Sequence, residues 1–210
     1  MDRGVYEDWS SIAGALERAR DEGSVVQLYA HAPGRLSDPR RLEAIAARAA
    51  ELGLASFTYG ELAAGPPAAP GLALSLDDDD VAAWVETAAL LERHGARATF
   101  FVTRFHLMGE ADRAALRDLA DRGHGIEAHG ANHLRAPDVV DDRGLAAYLR
   151  DEALPSLDGL RAGGHAPTVF AYPYGARTPE LDRAMLGHVA LVRSVSFSTD
   201  NFAVVDPCPE

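Results

Sequence analysis

The segment Gly71-Leu-Ala-Leu-Ser-Leu-Asp-Asp-Asp-Asp80 decides the fold. Its apolar run, Leu72 to Leu76, is typical of a buried strand, and the spacing of apolar residues from Val81 to His94 predicts a helix. A strand joined to a helix by a short acidic turn is the repeating unit of α/β proteins, whose functional groups lie at the carboxyl ends of the strands.

Four consecutive carboxylates separate this strand from this helix. Asp is a favoured N-cap, and acidic residues stabilise the first turn of a helix, which accounts for Asp79 and Asp80. A cap needs one acid rather than four, so Asp77 and Asp78 are candidates for chemistry. Neighbouring side chains at a strand end diverge, so one carboxylate can bind a cation while the other handles a proton.

Composition limits the class of protein. The 210 residues suit one sizeable domain, and 47% apolar with 25% charged residues is ordinary for a globular protein. A net charge of -12 argues against nucleic acid or an anionic membrane as partner, because phosphate binding needs a basic patch. With one cysteine, Cys208, an internal disulfide is excluded. No signal peptide or membrane span is recognisable, which as written predicts a cytoplasmic protein.

Predicted strands and helices alternate along the chain, the pattern of parallel βα units. The predicted strands are 24–30, 55–58, 72–76, 97–102, 125–128, 167–172 and 189–194. The predicted helices are 6–22, 39–52, 81–94, 110–122, 141–160 (interrupted at Pro155) and 179–186. Residues 63–71 have linker composition. We therefore expect an α/β fold, a closed or nearly closed barrel of about seven strands.

Two histidines, His129 and His133, follow the predicted strand 125–128. A His-x-x-x-His pair is weak alone, because this spacing arises by chance and His124 lies nearby. With one strand-end Asp it becomes a three-ligand set with an open position, as a catalytic cation site requires. The turn Phe170-Ala-Tyr-Pro-Tyr174-Gly could aim a backbone N–H into the same crevice, or be a surface turn with packed aromatics.

Four motifs resemble those of the polysaccharide deacetylases of the NodB-homology class, a carbohydrate esterase family. In order they are Ala-Leu-Ser-Leu-Asp77-Asp78, Ala-Thr-Phe-Phe-Val, His129-Gly-Ala-Asn-His133 and Ala-Tyr-Pro-Tyr174-Gly, within residues 71 to about 195. The resemblance implies a distorted (β/α) barrel that removes acetyl groups from N- or O-acetylated sugars. It also implies a divalent metal, usually Zn²⁺, with Co²⁺, Ni²⁺ or Mn²⁺ as alternatives.

The same resemblance implies roles for individual residues. Asp77 is the expected general base, and Asp78, His129 and His133 are the expected metal ligands. The backbone N–H of Tyr174 is expected to help hold the oxyanion.

The chain departs from the family pattern. Ala171 replaces the Arg that in the family orients the catalytic Asp, and Arg193 is our candidate replacement, against the alternative of a salt bridge on the barrel exterior. Asp79 stands where the family has Gly. No clear Asp-x-x-Asp-Trp motif follows, although Asp200 could set the protonation state of His31, the candidate general acid described next.

The family also needs a late His as general acid, and Leu28-Tyr-Ala-His31 fits that late motif. We interpret the chain as circularly permuted. Residues 1–62 then correspond to the family's C-terminal part, 63–71 form a linker, and 71–210 supply the rest of one barrel. The alternative is an unrelated N-terminal addition. In a permuted chain the strand at Val25 should pair inside the barrel, and Met1 should lie near Glu210.

The function expected from the sequence is a metal-dependent deacetylase acting on an acetylated carbohydrate. The alternatives are a hydrolase of a small amide, such as a ureide or formamide, and an inactive sugar-binding or metal-binding module. The oligomeric state stays open. If a native signal was removed, an extracellular or cell-wall location replaces the cytoplasmic one.

Overall fold

The computed structural model describes residues 9–195, in which seven parallel strands form one curled sheet, a half-barrel. The strands are β1 (Val25–His31), β2 (Ala55–Ser56), β3 (Gly71–Asp78), β4 (Ala98–Val102), β5 (Gly125–Ala128), β6 (Val169–Ala171) and β7 (Leu191–Arg193). The helices are α1 (Trp9–Glu22), α2 (Pro39–Glu51), α3 (Tyr59–Ala64), α4 (Val81–Glu92), α5 (Glu110–Asp121), α6 (Ala136–Arg143), α7 (Leu145–Tyr148), α8 (Leu154–Ala162) and α9 (Pro179–Met185). The α/β barrel-like fold predicted from the sequence is confirmed.

The strand order is β1-β3-β4-β5-β6-β7, with β2 also paired to the start of β3. Strand β1 is therefore part of the same sheet, as predicted, and its register with β3 sets His31 beside Asp77. The predicted proximity of Met1 and Glu210 lies outside the described residues. None of the helices within 9–195 is both long and apolar enough to cross a bilayer.

Side-chain alternation along β3 builds two cores. Leu72, Leu74 and Leu76 belong to the large core shared with the helices, and each contributes about 2 kcal/mol by leaving water. Ala73 belongs to a small inner core with residues of β4 and β6. Asp77 has the same parity as Ala73, so its carboxylate faces the concave side of the sheet.

The acidic turn after β3 divides its roles. Asp80 is the N-cap of α4 and accepts a hydrogen bond from the Ala83 N–H at 3.4 Å, as expected for a capping acid. Asp79 instead pairs with Arg104 at 3.0 Å on the surface. Neither carboxylate is needed inside the half-barrel, so only the first two acids of the run remain for chemistry.

The predicted helix 141–160 is interrupted, but the position predicted for the interruption, Pro155, is wrong. The structure interrupts it at Gly144, whose φ is +83°, and a π-helical turn, Leu149–Ala153, precedes Pro155. Proline has no N–H to donate and its ring crowds the preceding turn, and a wider turn accommodates both effects. Helix α3 was also not predicted, and it takes in the first two residues of the expected linker.

The buried carboxyl of Glu127 joins β5 to the start of β6. It accepts hydrogen bonds from the N–H groups of Thr168 and Val169, both 2.8 Å, and from the Thr168 hydroxyl at 3.3 Å. Burial raises the pKa of Glu127 from 4.5 to about 7, against the lowering effect of these donors. Because the folded-state pKa is raised, the stability from this group is complete below about pH 4.5 and is lost as the pH rises through 7.

We expect Glu127→Gln to remove this pH dependence. The amide keeps an oxygen for the two backbone donors and turns its NH₂ toward the Thr168 hydroxyl. Each pKa unit is worth about 1.4 kcal/mol, so the wild type should lose roughly 3 kcal/mol relative to the variant between about pH 5 and pH 8. Urea unfolding of both proteins at the two pH values measures the difference. Identical pH dependence in both would contradict the assignment.

Candidate active site

All seven predicted site residues line one cavity of about 410 Å³ at the carboxyl edge of the sheet. They come from five places in the chain: the ends of β1, β3 and β7, the loop after β5 and the turn after β6. The residues are His31, Asp77, Asp78, His129, His133, Tyr174 and Arg193. Parallel strands bring their carboxyl ends to one edge, so residues distant in sequence meet here.

Asp78, His129 and His133 form a group that could hold a cation, because one ligand atom from each lies within 4.8 Å of the others. The Asp78 Oδ1 is 3.2 Å from Nε2 of His133 and 3.9 Å from Nε2 of His129. Two imidazoles and one carboxylate are the donor set of a catalytic zinc-type site, with one position left for a reactant.

A hydrogen bond fixes the ring of His129. Its Nδ1–H donates to the backbone oxygen of Ala171 at 2.9 Å, which directs Nε2 toward Asp78. Burial lowers the pKa of His129 to about 4, so the imidazole is neutral at ordinary pH. A neutral ring with a directed Nε2 lone pair is the form that binds a cation.

The carboxylate of Asp78 is held in its charged form. Burial alone would raise the pKa of Asp78, but a hydrogen bond with His133 and the nearby imidazoles of His31 and His129 outweigh that effect, so the pKa is lowered. An ionised carboxylate is again the form that a metal requires.

Asp77 and Arg193 form a buried ion pair. Their side chains are almost fully buried, and Nη2 of Arg193 donates to Oδ1 of Asp77. Burial opposes the charge of Arg193, yet the neighbouring Asp77 carboxylate raises the pKa of the guanidinium above its ordinary value. The guanidinium also lies over the rings of Phe101, at 4.6 Å, and Tyr29, at 5.5 Å.

The register between β6 and β7 explains how Arg193 reaches this position. Arg193 is the direct cross-strand neighbour of Ala171, the residue that stands where the resemblance led us to expect Arg. The two positions therefore face the same side of the sheet. An exterior salt bridge, the alternative for Arg193, is wrong, because the residue is 2% exposed and its partner is Asp77.

His31 lies on the other side of Asp77. Its Nε2 is 3.7 Å from Oδ2 of Asp77, and its ring contacts that of Tyr29 edge to face at 5.5 Å. The side chain is partly open to solvent, whereas Asp77 is not. Asp77 is thus flanked by a buried guanidinium on one oxygen and an accessible imidazole on the other.

Tyr174 forms the opposite rim of the cavity. The centroid of its ring lies 4.7 Å from that of His133, and the residue is 61% exposed, so it is not the packed aromatic of a surface turn. Its backbone is left-handed, with φ +60°. Asp78 (φ +93°) and His133 (φ +62°) are also left-handed, which non-glycine residues rarely adopt. Such conformations concentrate at functional sites.

Some residues of the site were not predicted. Tyr29 and Leu36 also line the cavity. Tyr29 precedes His31 by two residues on β1, and the period of two could have revealed it; Leu36, in the loop after β1, gives no sequence signal. Thr103 links the end of β3 to the loop after β5. Its N–H donates to the backbone oxygen of Asp78 at 2.9 Å, and its hydroxyl donates to the backbone oxygen of Gly130 at 2.8 Å. Asp200 lies outside the described residues.

The fold is similar to those of several solved deacetylase structures. IcaB from Ammonifex degensii matches with a TM-score of 0.65 at 16% identity, over 86% of this chain and 94% of that one. The de-N-acetylase from Aggregatibacter actinomycetemcomitans matches with 0.65 at 15% identity, over 83% and 88%. The Streptococcus pyogenes deacetylase PplD matches with 0.57 at 18% identity, over 76% of each. No curated protein matches at a significant level.

Identities this low show a shared fold and no more. The comparison with sequence families goes further. The family described as polysaccharide deacetylase matches residues 64–188, more than half of the sequence. That span contains Asp77, Asp78 and both histidines of the cation group. The chain belongs to the polysaccharide deacetylase family.

Proposed function

We propose that this protein is a metal-dependent deacetylase that removes acetyl groups from N-acetylated or O-acetylated sugars of a polysaccharide or oligosaccharide. One observation carries the proposal: a possible cation site, a buried carboxylate and an accessible imidazole line one cavity. Family membership supports the same reaction class. Together these groups have the chemistry that hydrolysis of an amide or ester requires.

The residues present fit a divalent cation, most readily Zn²⁺. Asp78, His129 and His133 would hold it, and their protonation states, a neutral His129 and an ionised Asp78, suit metal binding. When bound, such a cation supplies Lewis-acid chemistry, polarising the acetyl carbonyl and making water a nucleophile near neutral pH.

Asp77 is the proposed general base. Its Oδ1 is fixed by Arg193, which leaves Oδ2 facing the cavity and His31. It accepts a proton from water as the water oxygen bonds to the acetyl carbon. The Tyr174 N–H is the proposed donor to the oxyanion that forms, and one such donor is typically worth about 100-fold or more in rate.

His31 is the proposed general acid. In its protonated form it donates to the departing nitrogen or oxygen as the bond to the acetyl carbon breaks, releasing acetate and a sugar amine or alcohol. The proton that Asp77 has taken from water then passes to His31, whose Nε2 lies 3.7 Å from Oδ2 of Asp77, and the imidazole is protonated again.

The rim of the cavity suits a sugar chain. Tyr174 and Leu36 lie at this rim, 61% and 65% exposed, and offer apolar surface of the kind on which sugar rings pack. The net charge of -12 favours a neutral or basic glycan over a nucleic acid.

The permuted arrangement is part of this proposal. The parallel pairing of β1 with β3, which sets His31 beside Asp77, supports a chain whose family C-terminal part comes first.

We expect acetate release from an acetylated glycan in the presence of zinc. Chitooligosaccharides, acetylxylan and peptidoglycan fragments should be assayed in parallel, with N-acetylated small amides and ureides as the comparison. Release from at least one glycan, and much less from the small amides, is the expected result. Release from the small amides alone would contradict the proposed substrate class.

A further inference from the structure

The buried carboxylate that accepts the most hydrogen bonds among the described residues lies outside the cavity. Glu152 is fully buried on the π-helical turn before α8, and it takes no part in the proposed chemistry. We propose that Glu152 is the positioning residue of the loop that carries the two histidine ligands, holding His133 in the conformation that binds the cation. The inference rests on the proposed metal site.

The contacts of Glu152 bracket His133 on both sides. Its Oε1 accepts from the N–H groups of Asn132, at 3.0 Å, and Leu134, at 2.9 Å. Its Oε2 accepts from the Asn132 N–H and side-chain amide, both 2.9 Å. The backbone oxygen of Glu152 accepts from the Ala131 N–H at 3.1 Å. One residue therefore fixes three non-ligand positions, 131, 132 and 134, which lie on both sides of the ligand.

This clamp explains why His133 keeps an unfavourable backbone. A left-handed φ of +62° is unfavourable for a non-glycine residue, and it persists when the surroundings determine it. The hydrogen bonds that the amides on either side donate to the Glu152 carboxyl group hold His133 in this conformation. Loss of the carboxylate should let the loop relax and move Nε2 of His133 away from Asp78.

Gly130 shows how closely the loop is fitted to this carboxylate. A Cβ at position 130 would lie 2.6 Å from Oε1 of Glu152, and the residue has a φ of +81°. The position therefore requires glycine on both grounds. The wide π turn ahead of Pro155 carries Glu152, so the irregular helix also serves to aim the carboxylate at the loop.

The test uses two substitutions of graded severity. Glu152→Gln leaves one oxygen for the Asn132 and Leu134 amides but loses the charge and the second acceptor, whereas Glu152→Ala loses every side-chain contact and keeps only the backbone one. We expect the affinity for Zn²⁺, measured by chelator competition, to fall about 10-fold in the Glu152→Gln variant and about 100-fold in the Glu152→Ala variant. If the Ala variant does not fold, the Gln variant still decides the matter.

Two readouts separate positioning from general stability. The visible spectrum of the Co²⁺-loaded protein reports ligand geometry and should change in Glu152→Gln. In the metal-free protein, the amide hydrogens of Asn132 and Leu134 should exchange faster with solvent than in the wild type. Neither readout depends on turnover.

Glu127→Gln is the matched control. Glu127 is also a buried carboxylate that accepts from two backbone amides and one side chain, but its partners are Thr168, just before β6, and Val169, and none of them belongs to the loop that carries His133. It should change stability and leave Zn²⁺ affinity and the Co²⁺ spectrum as in the wild type.

Wild-type Zn²⁺ affinity and an unchanged Co²⁺ spectrum in Glu152→Gln would overturn the inference, as would equal effects in Glu127→Gln. A wild type that binds no Zn²⁺ would overturn it as well. A wild type that binds Zn²⁺ but releases acetate from no substrate contradicts only the proposed function.

Discussion

Asp77→Asn should lower kcat by at least about 100-fold while Zn²⁺ binding is retained. The substitution keeps the size of the side chain but removes the proton acceptor, and general base catalysis is typically worth about 100- to 10,000-fold. The proposed metal ligands Asp78, His129 and His133 are unaltered. Acetate release and Zn²⁺ affinity, measured on the same preparation, check both parts.

Stability must be followed in the same variant. Arg193 is buried and pairs with Asp77, so a neutral partner leaves a buried charge less well compensated. We expect the free energy of unfolding to fall by up to about 3 kcal/mol. Assays should be made well below the unfolding midpoint of the variant.

Asp79→Asn is the matched control for this change. It removes the same charge two residues away, where the carboxylate pairs with Arg104 on the surface rather than with Arg193 inside the cavity. It should retain nearly wild-type turnover. Full activity of Asp77→Asn, or equal losses in both variants, would contradict the assignment of the base.

His31→Ala should also abolish most turnover without loss of the cation. The imidazole lies 3.7 Å from Asp77 and is not among the proposed metal ligands, so its removal takes away the proposed general acid alone. We expect kcat to fall about 100- to 10,000-fold. The loss should be smaller for a substrate with a good leaving group, such as an aryl acetate, because that group departs with little need for a proton.

His94→Ala controls for the loss of a partly exposed imidazole. Nε2 of His94 is 3.7 Å from Glu43, the same separation that His31 has from Asp77, but this pair lies on the surface. The control should turn over like the wild type. Equal losses for His31→Ala on amide and aryl acetate substrates would argue against a proton-donor role.

The sheet was predictable because its strands are apolar runs bounded by turn residues. Leu72 to Leu76 and the run 97–102 carry a strong local signal, and every predicted strand lies within a few residues of an observed one. Helix α3 was missed although Thr58 and Glu61 form a capping box, a signal that the sequence does contain. The break was wrongly predicted at Pro155 because the helix does not end there. It widens into a π-helical turn before the proline and then continues.

The site was predictable where chemistry depends on residue type at a strand end. Asp77 and Asp78 end β3 and the two histidines lie in the loop after β5, so their convergence follows from the parallel sheet. Glu152 could not be found in this way, because nothing local distinguishes it from the other acids of its helix. Its role depends on tertiary contacts with a loop about twenty residues earlier.

The most direct test of the central claim is acetate release by the metal-free protein as Zn²⁺ is added. If Asp78, His129 and His133 hold one catalytic cation, activity should be near zero at the start and should rise to a plateau at about one equivalent. A rate that is the same with and without metal, or no release from any acetylated glycan at any Zn²⁺ concentration, would contradict the account.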